Sequence, residues 1–171
     1  MTRSNFQVAF LLFVVGALLA TTVPETARCQ SAALPTEDLV QQADVIVVGR
    51  VTAMTSSWNS DRSRIFTRVT LSVSQSIKGD ASENSVTVTV PGGEVDGIGE
   101  LYSHTARFKE DEDVVVFAAK NSKGELNIVG GDEGKTTIRK EDETRRNLVS
   151  DNETLEMYTA KLKSIVRAQR E

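Results

Sequence analysis

ADVIVVGRV (Ala43–Val51), TAMTSSWNSDRSR (Thr52–Arg64) and IFTRVTLSVSQSI (Ile65–Ile77) follow one another in the chain, and their reading decides the fold. In the third stretch Ile65, Thr67, Val69, Leu71, Val73, Gln75 and Ile77 share one face, and Phe66, Arg68, Thr70, Ser72, Ser74 and Ser76 share the other. Successive strand side chains point to opposite faces, so this alternation is that of a long, half-buried β-strand. The first stretch is apolar on both faces, with Val45, Val47 and Val51 alternating with Ile46 and Val48. Such a strand is expected to be more fully buried than its neighbour. The two read as a hairpin, joined by a polar break at Thr55–Arg64 that carries Trp58. In that loop the indole is either a binding anchor or a cover for the edge of the core.

Upstream, Leu34–Gln42 (LPTEDLVQQ) carries a helix start. Thr36 is the expected cap, and Glu37 and Asp38 sit in the first turn, where the helix dipole favours acids. Downstream, Lys78-Gly79-Asp80 marks a turn, and Ser85–Val90 (SVTVTV) is a third alternating strand with Val86, Val88 and Val90 inward. Pro91-Gly92-Gly93 stops it, and Gly93–His104 is a glycine-rich loop with no clear period. After the acidic turn Lys109–Asp113, Val114–Ala119, Leu126–Val129 and Lys135–Ile138 read as strands, the first two joined by the turn Asn121–Gly124. The charge run Arg139–Arg146 reads as a solvated linker. Asp151 or Asn152 is the expected cap of a final helix whose stripe of Leu155, Tyr158, Leu162, Ile165 and Val166 must be covered, by its own domain in preference to a partner. Close strand spacing without a βαβ unit makes the expected fold mainly β. It is a small antiparallel barrel of five or six strands over residues 34–138, a charged linker at 139–151, and an amphipathic helix at 152–170 on the barrel.

The chain's 171 residues suffice for one domain with a core, and 39% hydrophobic with 26% charged residues argues against wholesale disorder. A net charge of −4 with 5% aromatic residues argues against nucleic acid, which wants a basic, aromatic-lined groove. The single Cys and single His exclude an intrachain disulfide and any site needing two histidines. Residues 1–30 read as a signal peptide: Arg3 is followed by the apolar run Phe6–Ala20, shorter than the roughly 20 residues of a membrane span. An uncleaved N-terminal anchor is the alternative, and the only membrane contact expected. The expected location is secreted or periplasmic, and an export product without disulfides suits a bacterium. The sequon Asn152-Glu153-Thr154 has meaning only in a eukaryotic secretory pathway.

From QADVIVVGRV (Gln42–Val51) onward, the chain resembles the netrin-like, or tissue-inhibitor-of-metalloproteinase-like, OB barrel. The likeness rests on the short helix before that strand, the SIKGD ending of the second strand, VTVTV in the third, and Phe108–Phe117 where the fold re-enters the barrel. PGGEV (Pro91–Val95) and GKTTI are similar to stretches of secreted bacterial proteins of uncharacterised role. The resemblance covers about Leu34 to Ile138 and implies fold more than activity. Inhibitors of that family act through an N-terminal Cys that ligates a protease zinc. The analogue here is Cys29, preceded by Arg28 and without a disulfide partner.

Several residues are candidates for a site. Glu94, Asp96, Glu100 and His104 bring oxygen and imidazole donors to one glycine-rich loop, suited to a cation or, with Ser103, to hydrolysis. Their spacing matches no calcium loop, and a surface loop with ordinary acids is the plainer reading. Gly92, Gly93, Gly97 and Gly99 lack the following helix and Lys-Ser/Thr pair of a phosphate loop. No catalytic set, metal or cofactor is expected. The expectation is a non-enzymatic exported module that binds a protein or peptide, with Trp58 its recognition residue; a metalloprotease inhibitor and a hydrolase or cation binder using residues 94–104 are the alternatives.

Overall fold

A computed structural model describes residues 34–79, 84–141, 146–150 and 152–169. The expected signal segment, Cys29 and the cap candidate Asp151 lie outside them. Along the chain run α1 (Thr36–Gln42), β1 (Val45–Trp58), β2 (Ile65–Lys78), β3 (Ser85–Pro91), β4 (Gly93–Val95), β5 (Ile98–Glu100), β6 (Asp113–Lys120) and β7 (Leu126–Ile128). A 3-10 turn (Gly131–Gly134), β8 (Lys135–Glu141), β9 (Arg146–Ser150), β10 (Glu153–Thr154) and α2 (Leu155–Ala168) follow. Among the described residues, no helix is long and apolar enough to cross a membrane.

β1 holds the barrel together because it pairs on both sides. Val45–Arg50 runs antiparallel to Ala118–Asp113 of β6, while Ile46–Trp58 runs antiparallel to β2. Register shifts at Ile46/Val47, Val48/Gly49 and Val51/Ala53 bend the strand, as bulges do, and let one strand serve two neighbours. The circuit β1-β2-β3-β7-β6 then closes on β1. This is the expected mainly β, OB-like barrel, and β8, β9 and β10 extend the sheet beyond β6. One pairing departs from an all-antiparallel reading: β3 and β7 are parallel, with Val88 opposite Leu126 and Thr89 opposite Asn127.

The two-faced apolar character of β1 and β6 has a direct cause. Their inward residues Val45, Val47, Val51, Val114 and Val116 meet Val69, Leu71, Val88 and Val90 inside the barrel. Their outward residues Ile46, Val48, Val115 and Phe117 lie under the two helices, against Leu39, Val40, Tyr158, Leu162 and Val166. From Ile65 to Ser74 β2 keeps one polar face, so Ile65, Thr67, Val69 and Leu71 are buried while Arg68, Ser72 and Ser74 are exposed; only its far end, at Ile77, meets the helical layer. The stripe on α2 is thus covered by its own domain. Lys78 Nζ donates to the Val40 carbonyl at 2.7 Å near the end of α1 and ties β2 to that helix.

Several boundaries differ from expectation. The first part of the polar break is strand: β1 continues to Trp58, because its small and β-branched polar side chains suit a half-exposed pleat, and Ser56 and Thr67 hydrogen-bond across it at 2.9 Å. The turn shrinks to Asn59–Arg64, where Asn59 Oδ1 accepts from the amides of Ser63 and Arg64. The charge run is not a linker over its described residues, since Arg139–Glu141 pairs with Arg146–Leu148 in a β8–β9 hairpin. Thr36 is the first residue of α1 and its cap is Pro35, whose carbonyl accepts from Asp38 and Leu39. Thr154 caps α2, accepting from the Met157 amide at 3.3 Å; Asn152 precedes β10.

Candidate functional site

Met54, Thr67 and Val90 lie at one end of the barrel, and the chain from Pro91 to Phe108 folds over that end. The crossing is made by Pro91-Gly92-Gly93. Thr67 Oγ1 donates to the Gly92 carbonyl at 2.7 Å, and the Gly92 amide donates to the Ile65 carbonyl at 2.8 Å. Gly93 has φ of 136°, and a Cβ there would strike the side-chain oxygens of Ser56 and Thr67. Only glycine fits so close an approach with that backbone. β4 and β5 form a tight hairpin closed by Asp96-Gly97, both with positive φ (53° and 77°). Asp-Gly between Val95 and Ile98 is a hairpin signal that the absence of a longer period concealed.

Glu100 secures the hairpin to the barrel. Its Oε2 accepts from the Ile65 amide at 2.9 Å and from the Tyr102 hydroxyl at 3.0 Å. Arg64 lies 5.9 Å from the centre of the Tyr102 ring. Farther on, Ala106 and Phe108 are buried in the barrel core. Lys135, only 10% exposed, holds that segment by pairing with Glu112 at 2.7 Å, donating to the Arg107 carbonyl, and standing 4.9 Å from the Phe108 ring centre. What remains open is a groove of about 530 Å³ between the barrel end and this cover, lined by Met54, Val90, Pro91, Leu101, Tyr102 and Phe108 among others. Two large apolar side chains stand out in solvent beside it, Leu101 at 76% and Ile98 at 54% exposure.

The acidic loop residues do not converge. Glu94 and Glu100 border the groove; Asp96 is at the hairpin tip; His104 is exposed on the following loop. Among the described residues, no three His, Cys, Asp or Glu side chains gather as a cation site. His104 contributes through its backbone: its carbonyl accepts from the Asp132 amide at 3.1 Å, and Gly131 passes so close to that carbonyl that a Cβ would collide with it. Glu100 is engaged as a clamp. Leu101, Tyr102 and Phe108 form the groove without having been singled out; an apolar residue inside a polar, glycine-rich stretch was the available signal.

Trp58 belongs to a second groove, of about 400 Å³, on the outer face of the barrel. Register brings three polar side chains of neighbouring strands into a row there: Arg68 of β2 is opposite Thr89 of β3, and Thr89 is opposite Asn127 of β7. Phe66 and Trp58 flank the row, both half-buried. Asn59 and Asn121 build the bordering turns, Asn121 Oδ1 accepting from the amides of Lys123 and Glu125.

No protein-family model matches the chain, and no curated protein matches it in sequence, so the functional reading rests on these two grooves.

Proposed function

We propose that the protein is a non-enzymatic binding module whose barrel end takes an apolar segment of a protein or peptide partner. The observation that carries this reading is Leu101, 76% exposed at the rim of an apolar groove, with Ile98 beside it. Exposed apolar side chains clustered around an opening lose area to water in the free protein and gain it back when a partner covers them. The groove is also pre-built: Thr67, Glu100 and Lys135 fix its cover, so little ordering cost falls on binding. Random peptides displayed on phage and selected on the full chain are expected to enrich sequences with bulky apolar anchors. Leu101→Asp is expected to weaken them about tenfold or more. Absence of enrichment, or peptides indifferent to Leu101→Asp, overturns the reading.

Export is part of the proposal, supported by the apolar run Phe6–Ala20 behind Arg3. Mass spectrometry of the chain from an extracytoplasmic fraction is expected to find a new N-terminus near Ala32–Leu34. An intact chain confined to the cytosol refutes it.

A further inference from the structure

We infer that the outer groove at Trp58 is a binding site for a saccharide, with acidic sugars preferred. The groove combines two things that a sugar ring requires together. Phe66, on the same face as Arg68, offers aromatic surface against which the C–H face of a pyranose can lie, and Trp58, opposite Ile65 in the register, borders the groove. Between them and the turn at Asn121, the row of Arg68, Thr89 and Asn127 offers donors and acceptors spaced by adjacent strands, about 5 Å apart. None of these three side chains hydrogen-bonds or ion-pairs with another described residue; Arg68 is exposed, and Thr89 and Asn127 are half-buried at the groove.

The neighbouring amides separate structural from available groups. Asn59 and Asn121 use both ends of their side chains within their own turns: Asn59 Nδ2 donates to Ser63 Oγ, and Asn121 Nδ2 donates to Glu125 Oε2. They make firm walls and leave Asn127 as the amide that can both donate to and accept from a ring hydroxyl pair. The charge is complementary to an acid. Arg68 has no carboxylate partner among the described residues, and the one acid lining the groove, Glu125, is held by Asn121. An unpaired guanidinium on a chain of net charge −4 is suited to a sugar carboxylate, which it can meet with two parallel hydrogen bonds. A polynucleotide is the poorer fit, because its successive bases ask for a run of aromatic platforms, and Trp58 and Phe66 are the aromatic residues lining the groove.

The chain has a single Trp, so its emission reports this groove alone. Titrating the full chain with hexagalacturonate, maltohexaose and the single-stranded oligonucleotide dT12 tests the assignment. The expected result is a saturable change in Trp58 emission with hexagalacturonate, a weaker one with maltohexaose, and none with dT12. Asn127→Ala is expected to weaken both saccharides about tenfold, and Arg68→Ala to remove the preference for the acidic one. Both positions lie on the outer face of the barrel, so the variants should keep the wild-type far-UV spectrum. No saturable change with either saccharide, tighter binding of dT12, or wild-type affinities in both variants overturns the inference.

Discussion

Thr67 is the residue on which the groove at the barrel end most depends. It is 6% exposed, its hydroxyl donates to the Gly92 carbonyl, and Ser56 lies 2.9 Å from it. Thr67→Val keeps shape and removes the hydroxyl, leaving a buried carbonyl unpaired, which costs about 1–3 kcal/mol. Urea unfolding of the variant is expected to show that loss, together with weaker binding at the Leu101 groove. Asp113 governs the acid limb. The Arg50 guanidinium, hydrogen-bonded to it through both carboxylate oxygens at 2.7 and 2.8 Å, holds its carboxyl below the usual range, with burial opposing and Lys140 assisting. A depressed folded-state pKa stabilises above the unfolded value of about 3.9 and is lost as pH falls through the folded value. Asp113→Asn should therefore lower stability by a constant amount above about pH 5, and the gap to wild type should close below pH 4 in urea titrations. Tyr158 acts at the other limit. Burial raises its phenol above the ordinary value, with a Thr136 hydrogen bond opposing, so its contribution is complete below about pH 10 and declines as pH rises through the folded value.

At the scale of elements, α2 is a structural part of the barrel's outer layer. Leu162 is fully buried among Leu39, Val40, Ile46 and Phe117. Leu162→Ala should cost about 2–5 kcal/mol, read by urea denaturation, because the cavity opens beneath the helix as well as within it. A much smaller loss would mean that the helix is only loosely held. The elements also show what was legible in the chain. The alternation from Ile65 to Leu71 translated residue by residue into burial on β2, the apolar run of β1 was recognisable as a strand more fully buried than its neighbour, and that of β6 as a strand. Helix ends were less legible: Thr36 and Asn152 both have capping side chains, and neither caps. Pro35 carbonyl bonds start α1, whereas pairing of Thr154 with Leu148 delays α2 until the sheet ends. The charged residues of β8 and β9 concealed a hairpin because strands whose side chains stay in solvent need no apolar period.

Over the whole molecule, the barrel interior and the helical layer form two apolar clusters divided by the walls of β1 and β6. Alternate residues of the same strand belong to each, Val45 and Val47 to one, Ile46 and Val48 to the other. Neither cluster can come apart without exposing the other, so unfolding should be a single transition. Trp58 emission and far-UV circular dichroism should give coincident urea midpoints; separated midpoints would show that the β1–β2 turn region melts on its own. The sequence by itself determined the five strands of the barrel, the inward face of β2 and the amphipathic character of the final helix, because burial acts on local periodicity. Only the tertiary structure decided the two grooves. Glu100 is turned into a clamp by Ile65, thirty-five positions away. Arg68, Thr89 and Asn127 become neighbours only through the register of three strands, one of them parallel. Proximity between residues distant in the chain is set by closure of the barrel, and no local pattern encodes it.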